Sequence, residues 1–148
     1  MIYTLNQLHA KIKEFADGHL QLKGNYFLGE LQEVSNQQVI TWPYLFGVLD
    51  SSSLSNRSVK ISISFIMMDQ VHPDLSNRVE VWSDTLQILS DLRAWLNKPE
   101  FSDLFTVSDE MPITPFADRF TDNPTGWTMD VEFTITDLRD YCAIPMQS

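Results

Sequence analysis

The sequence predicts an α+β domain: a single mixed, mainly antiparallel sheet packed by two helices, in the order α-β-β-β-α-β-β. Two segments, near residues 5–16 and 82–96, repeat apolar residues at the helical period. Others, clearest near 59–67 and 127–135, alternate apolar with polar residues as a half-buried strand does. Consecutive strands are joined by short connections, which favours antiparallel pairing with the helices gathered on one sheet face. With 148 residues, 43% of them hydrophobic, the chain 1–148 fits one domain that buries a core without disulfides or metal.

The first helix is expected from Thr4 to Asp17. Thr4 and Gln7 have capping-box spacing, so each side chain can satisfy an amide that the helix start leaves open. Leu5, Leu8, Ile12, Phe15 and Ala16 share one face. Asp17 with Gly18 supplies a stop, because glycine accepts the left-handed conformation cheaply. Three strands follow. Tyr26 to Glu33 is the weakest, with Gly29 marking a bulge or the close approach of another backbone. In Val39 to Leu49, Pro43 cannot donate to a ladder, which puts that stretch at an edge or a bend. Arg57 to Asp69 is the clearest: Val59, Ile61, Ile63, Phe65 and Met67 point one way, Lys60, Ser62 and Ser64 the other. From Ile66 and Met68 onward both faces are apolar, so that end is expected to be covered on both sides.

The second helix is expected from Asn77 to Asn97, with Asn77 and Glu80 at its start and Pro99 just past its end. Trp82, Leu86 and Leu89 form a stripe that Ile88, Leu92, Trp95 and Leu96 widen. At ~1.5 Å per residue this helix is roughly 30 Å long, enough to cross a small sheet. Phe101 to Val107 is a short candidate strand, and Trp127 to Thr136 alternates cleanly. Two connections stand out. The first, 50–57, is a polar tip rich in serine. The second, 108–126, carries Pro112, Pro115 and Pro124 and places Phe116 and Phe120 among acidic residues. It is either a solvated surface loop or an arm that orders against a neighbouring subunit, which would account for its aromatic residues. A tail, 137–148, ends the sequence.

Composition excludes more than it selects. Ten basic against twenty acidic side chains, a formal charge of −10, argue against gripping DNA, RNA or an anionic membrane. No apolar run approaches the ~20 residues of a membrane span. The stretch from Met1 lacks a basic region followed by an apolar one, so no secretion signal is expected. A single cysteine, Cys142, sits beside no activating cation other than Arg139 and reads as a packing residue. His9, His19 and His72 are scattered, none at metal-ligand spacing, and no phosphate loop, dinucleotide turn, nucleophile elbow or zinc-protease helix occurs. No catalytic residue, cofactor or metal is therefore expected. Asp118 and Asp122 bracket Arg119, but among twenty carboxylates such pairs arise by chance. Asp130 and Glu132 share the polar face of the last strand with Thr128, Thr134 and Thr136, facing either solvent or an interface. The charge is unevenly spread: residues 1–98 hold ten acidic and eight basic side chains, whereas 99–148 hold ten and two. That surface serves solubility, repels something anionic or meets a basic partner.

The element order, over Thr4 to about Thr136, resembles the small tail-terminator and head–tail joining proteins of tailed bacteriophages, which form rings at the neck or tail of the virion. The closing residues Gly126, Trp127, Met129, Asp130, Val131, Phe133 and Ile135, with Tyr141, Cys142, Ile144 and Pro145, also look like the ends of small virion proteins from Bacteroidetes phages, including the crAss-like group. The resemblance implies a tail-terminator-like fold, interfaces rather than an active site, and a homo-oligomeric ring. Its neighbours would be portal, neck or tail components, reached after synthesis in the bacterial host cytoplasm, with no membrane involved. DNA would pass through without specific binding, because a carboxylate-lined lumen repels phosphates. Loops on rigid scaffolds usually present the contacts, which makes Leu54, Arg57, Pro112, Phe116, Arg119 and Phe120 the interface candidates. Two other classes remain open: a soluble acidic module or adaptor holding a basic protein, and a small enzyme built on Asp118, Asp122 or histidine.

Overall fold

Alternation decides the centre of the molecule. Val59, Ile61, Ile63, Phe65 and Met67 occupy one side of strand β3 (Ser58–Gln70), and Met129, Val131, Phe133 and Ile135 occupy the matching side of β6 (Pro124–Thr136). The two strands pair antiparallel over their whole lengths, from Ser58 with Thr136 to Gln70 with Pro124. This computed structural model describes residues 3–30, 42–72, 74, 76–117, 124–136 and 144–147. Around the central pair the remaining strands complete a six-stranded, mixed and mostly antiparallel sheet. Strand β2 (Tyr44–Leu54) runs antiparallel beside β3, and β1 (Tyr26–Gly29) lies parallel to β2 over Leu45–Val48. On the far side of β6 lie the short strands β4 (Thr106–Val107) and β5 (Ile113–Ala117).

Both helices cover one face of this sheet. Helix α1 (Leu5–Gly18) sets Leu8, Ile12, Phe15 and Ala16 against it, and α2 (Arg78–Leu96) adds Ile88, Leu89, Leu92 and Leu96. Phe65, Phe133, Leu8, Ile12 and Leu92 are fully shielded from solvent there. The capping box holds as its spacing predicts: the Gln7 amide donates to Thr4 Oγ1 at 3.2 Å, and the Thr4 amide donates to Gln7 Oε1 at 2.8 Å. On the opposite face Phe46, Val48, Ile66 and Met68 form a second, smaller cluster with Phe27, Trp42 and Tyr44 against it. The end of β3 is thus buried on both sides, in line with its loss of alternation.

Several boundaries differ from the sequence reading, each for a local reason. Helix α1 does not stop on a left-handed Gly18. The chain leaves it at an extended His19 and turns only at Lys23 and Gly24, whose φ values are 51° and 86°. The Gly24 amide closes that turn on the Ala16 carbonyl at 2.8 Å. Asn77 caps nothing in α2, since its Oδ1 accepts instead from the His72 amide at 2.7 Å. Thr85, rather than Trp82 or Leu86, occupies the buried stripe, and its hydroxyl donates back to the Val81 carbonyl at 2.6 Å. A polar residue can enter the core this way because it is satisfied within its own helix. The expected strand at Phe101 to Val107 begins instead as a 3-10 turn, Pro99–Phe101, which buries Phe101 and Phe105 ahead of β4.

The two long connections shrink as well. Residues 50–54 of the expected 50–57 loop belong to β2, which passes a bulge between Leu49 and Ser52 before pairing with β3. Only 55–57 turn, and the Ser55 amide closes the hairpin on the Ser58 carbonyl at 2.9 Å. Serine favours turns, but an exposed strand whose backbone is already paired accommodates it too. Within 108–126 lie β5 and the first residues of β6. Pro115 is tolerated in β5 because an edge strand has one side without a ladder. Of the tail at 137–148, only 144–147 fall among the described residues.

Gly126 makes the central ladder possible. A Cβ built there would stand 1.8 Å from the Met67 carbonyl oxygen, a backbone atom that cannot move aside. Gly126→Ala is therefore expected to destabilise the fold by about 3 kcal/mol or more. Gly18→Ala, in open space at a helix end, should be neutral or stabilise by up to about 1 kcal/mol. Denaturant melts of the two variants against the parent check both.

Candidate functional site

The outer face of the sheet, away from the helices, divides into two halves. One half is the apolar cluster around Phe46 and Met68. Along the same strands, toward the β2–β3 turn, it becomes hydroxylated and acidic. Ser64 pairs with Asp130 across the ladder, and Ser62 with Glu132. The Ser64 hydroxyl meets two carboxylates, Asp130 Oδ1 at 2.6 Å and Asp50 Oδ2 of the β2 bulge. A hydroxyl has one proton and can donate to only one of them at a time, so the two negative charges are only partly compensated. Asp50, Asp130 and Glu132 are all exposed, which lets water solvate them at little cost. Lys60, paired with Thr134, is the nearest basic group in this register.

The histidines do not converge. His9 Nδ1 lies 3.3 Å from the Tyr26 hydroxyl, whose pKa burial raises well above the usual phenol range. His19 Nε2 lies 2.9 Å from Asp91 Oδ2, tying the end of α1 to α2, and its ring packs on Phe15. His72 is exposed. Among the described residues no group of three or more His, Cys, Asp or Glu is arranged to hold a metal ion. Asp118, Arg119, Phe120, Asp122 and Cys142 lie outside the described residues.

The remaining interface candidates fall into two places. Leu54 and Arg57 are both exposed at the tip of the β2–β3 hairpin, at one edge of the sheet. Pro112 and Phe116 are at the opposite edge: the Pro112 carbonyl accepts from the Asp130 amide at 3.0 Å, and the Phe116 backbone pairs with Gly126. The Phe116 side chain is not among those described. Beside Pro112 is a feature the sequence reading missed, an open cleft of about 280 Å³ between α2 and the segment 109–113. Leu86, Leu89, Met111, Ile113 and Met129 give it an apolar floor, while Arg93, Asp109 and Glu110 stand at its rim. Its signal was available in the apolar Met111 and Ile113, set inside a stretch otherwise rich in proline and acid.

Asp69, near the end of β3, carries the clearest electrostatic cost. Burial and, secondarily, the nearby Asp84 raise its carboxyl above the usual range, against a lowering by its bond from the Gln70 amide. A raised folded-state pKa means that ionisation opposes folding. The penalty is absent below the ordinary pKa of 3.8, grows as pH rises, and is complete above the folded-state pKa. Asp69→Asn should accordingly raise the melting temperature at pH 7 to 8 by a few degrees, and the gain should vanish by about pH 3. Thermal melts across that range check the sign. No protein-family model matches this sequence, and no curated protein matches it significantly.

Proposed function

We propose that the chain is a non-enzymatic structural protein of a phage virion, a tail-terminator or head–tail joining subunit that assembles into a ring in the neck or tail. The observation that carries this reading is the row of exposed carboxylates on the sheet face away from the helices, Asp50 on β2 and Asp130 with Glu132 on β6, the two strands that flank β3. Such a face turned to a lumen repels phosphates and lets DNA slide through, since like charges within the screening distance of ~8–10 Å raise the cost of contact. Hydroxyls of Ser62, Ser64, Thr128 and Thr134 keep the same face hydrated without adding positive charge. The resemblance in element order to small neck and tail proteins supports the same assignment. Partners on this reading are further copies of the chain and the adjoining portal, neck or tail components.

Mass spectrometry and imaging of purified particles test it. The chain should be present in the virion at a fixed multiple per particle and should account for a ring of density at the neck or tail. Absence from purified particles overturns the assignment. The same carboxylate row suits a basic protein partner, and a salt-sensitive complex with one cationic protein, with no ring in particles, selects the adaptor reading instead.

A further inference from the structure

Two unmatched features lie at opposite edges of the helix-covered face of the sheet. At one edge Leu54 is 82% exposed at the end of β2, with Arg57 following in the turn. Leu54 pairs with Val59, and Val59 with Ile135, so it continues the row of side chains that faces the core, beyond the point where the helices cover it. At the other edge, past β6, is the open cleft floored by Leu86, Leu89, Ile113 and Met129. Among the described residues Arg57, Asp109 and Glu110 form no ion pair with one another or with any other group.

We infer that this cleft receives the β2–β3 hairpin tip of a second copy of the chain, with Leu54 in the apolar floor and Arg57 against Asp109 and Glu110. Four observations converge on that occupant. A leucine standing almost fully in water gains most by transfer to an apolar surface. The cleft, at about 280 Å³ and open to one side, is at the lower end of ligand pockets, a size that suits a protruding side chain. The charges are complementary: the tip offers Arg57, and the wall formed by 109–113 offers two carboxylates, while Arg93 lies on the α2 side. Lastly, the hairpin tip lies away from the cleft of its own molecule. Two strand spacings across and six residues along separate Leu54 from Met129, roughly 22 Å, and the hairpin is held by the Ser55–Ser58 bonds.

Knob and socket on opposite edges make a head-to-tail contact, the kind that generates a ring when the rotation closes. The outer edge of β2 supports the approach, since β1 pairs only with Leu45–Val48 and leaves 49–54 without a described partner on that side. The contact deepens the ring reading and rests on it for its biological setting, although the two can fail separately.

Sedimentation of the full-length chain over a concentration series tests the contact. Leu54→Glu should weaken self-association at least about tenfold, without changing the circular dichroism spectrum or the melting temperature, because the side chain is exposed. Arg57→Glu should weaken it too, and combining Arg57→Glu with Glu110→Arg should restore most of the loss. In a Cys142→Ser background, Leu54→Cys with Ile113→Cys should give oxidised, intermolecular cross-links in a ladder. Unchanged association of Leu54→Glu overturns the contact, as does a chain that is monomeric up to ~1 mM and gives no cross-link. A ring in virions whose assembly ignores Leu54→Glu would sink this contact alone. Leu54-dependent association of a chain absent from virions would sink only the virion reading.

Discussion

The pairing of Ser58–Gln70 with Pro124–Thr136 is the constraint on which the rest of the structure depends. It joins residues between 54 and 78 positions apart in the sequence, so the chain must close a long loop before the ladder returns any energy. Helix α2 lies within that loop and offsets the cost, since its buried Ile88, Leu89 and Leu92 pack on the face the two strands create. Every other strand is placed by reference to this pair: β2 and β1 outward from β3, β4 and β5 from β6. The close backbone approach at Gly126 shows how little slack the ladder leaves.

The same ladder sorts the surface. Because successive residues point to opposite faces, the register that buries Phe65, Met67, Val131 and Phe133 also sends Ser62, Ser64, Asp130 and Glu132 outward together. The acidic row is thus tied to the core: a slip of one residue would bury the carboxylates and expose the phenylalanines. Its charges add little to stability, and neither do the solvent-facing ion pairs of Lys11 with Glu14 and Lys13 with Asp17. Their meaning lies in what the face attracts or repels. On the proposed reading it fends off DNA, while the separate edges, one bearing Leu54 and the other a cleft, hold neighbouring copies.

Much of this architecture was legible before any coordinates. Thr4 with Gln7, the alternation from Val59 to Met67 and from Trp127 to Ile135, and the two-sided burial at Ile66 and Met68 are local patterns that each report one physical requirement. The misread places are those where a side chain found a partner elsewhere. Asn77 bonds an upstream amide, Thr85 satisfies itself and enters the core, and the serines at 51–53 form a strand because β3 supplies the ladder. The candidate site divided along the same line. Leu54 and Arg57 are candidates from the sequence because they lie in the 50–57 connection and loops usually present contacts, but the cleft had no counterpart in the sequence reading, because it exists only where α2 passes over the 109–113 segment.

The amino-acid order alone established the class of fold, the two helices, the central strands and the placing of most excess negative charge after residue 98. Those properties follow from periodicity and composition, which are written locally. The strand order, the meeting of Asp50 with Asp130 across Ser64, and the separation of knob from socket emerge only once distant segments pair. Pairing is a contest among many near-equivalent registers, settled by burial and close packing over the whole sheet, and no short stretch of sequence contains that sum.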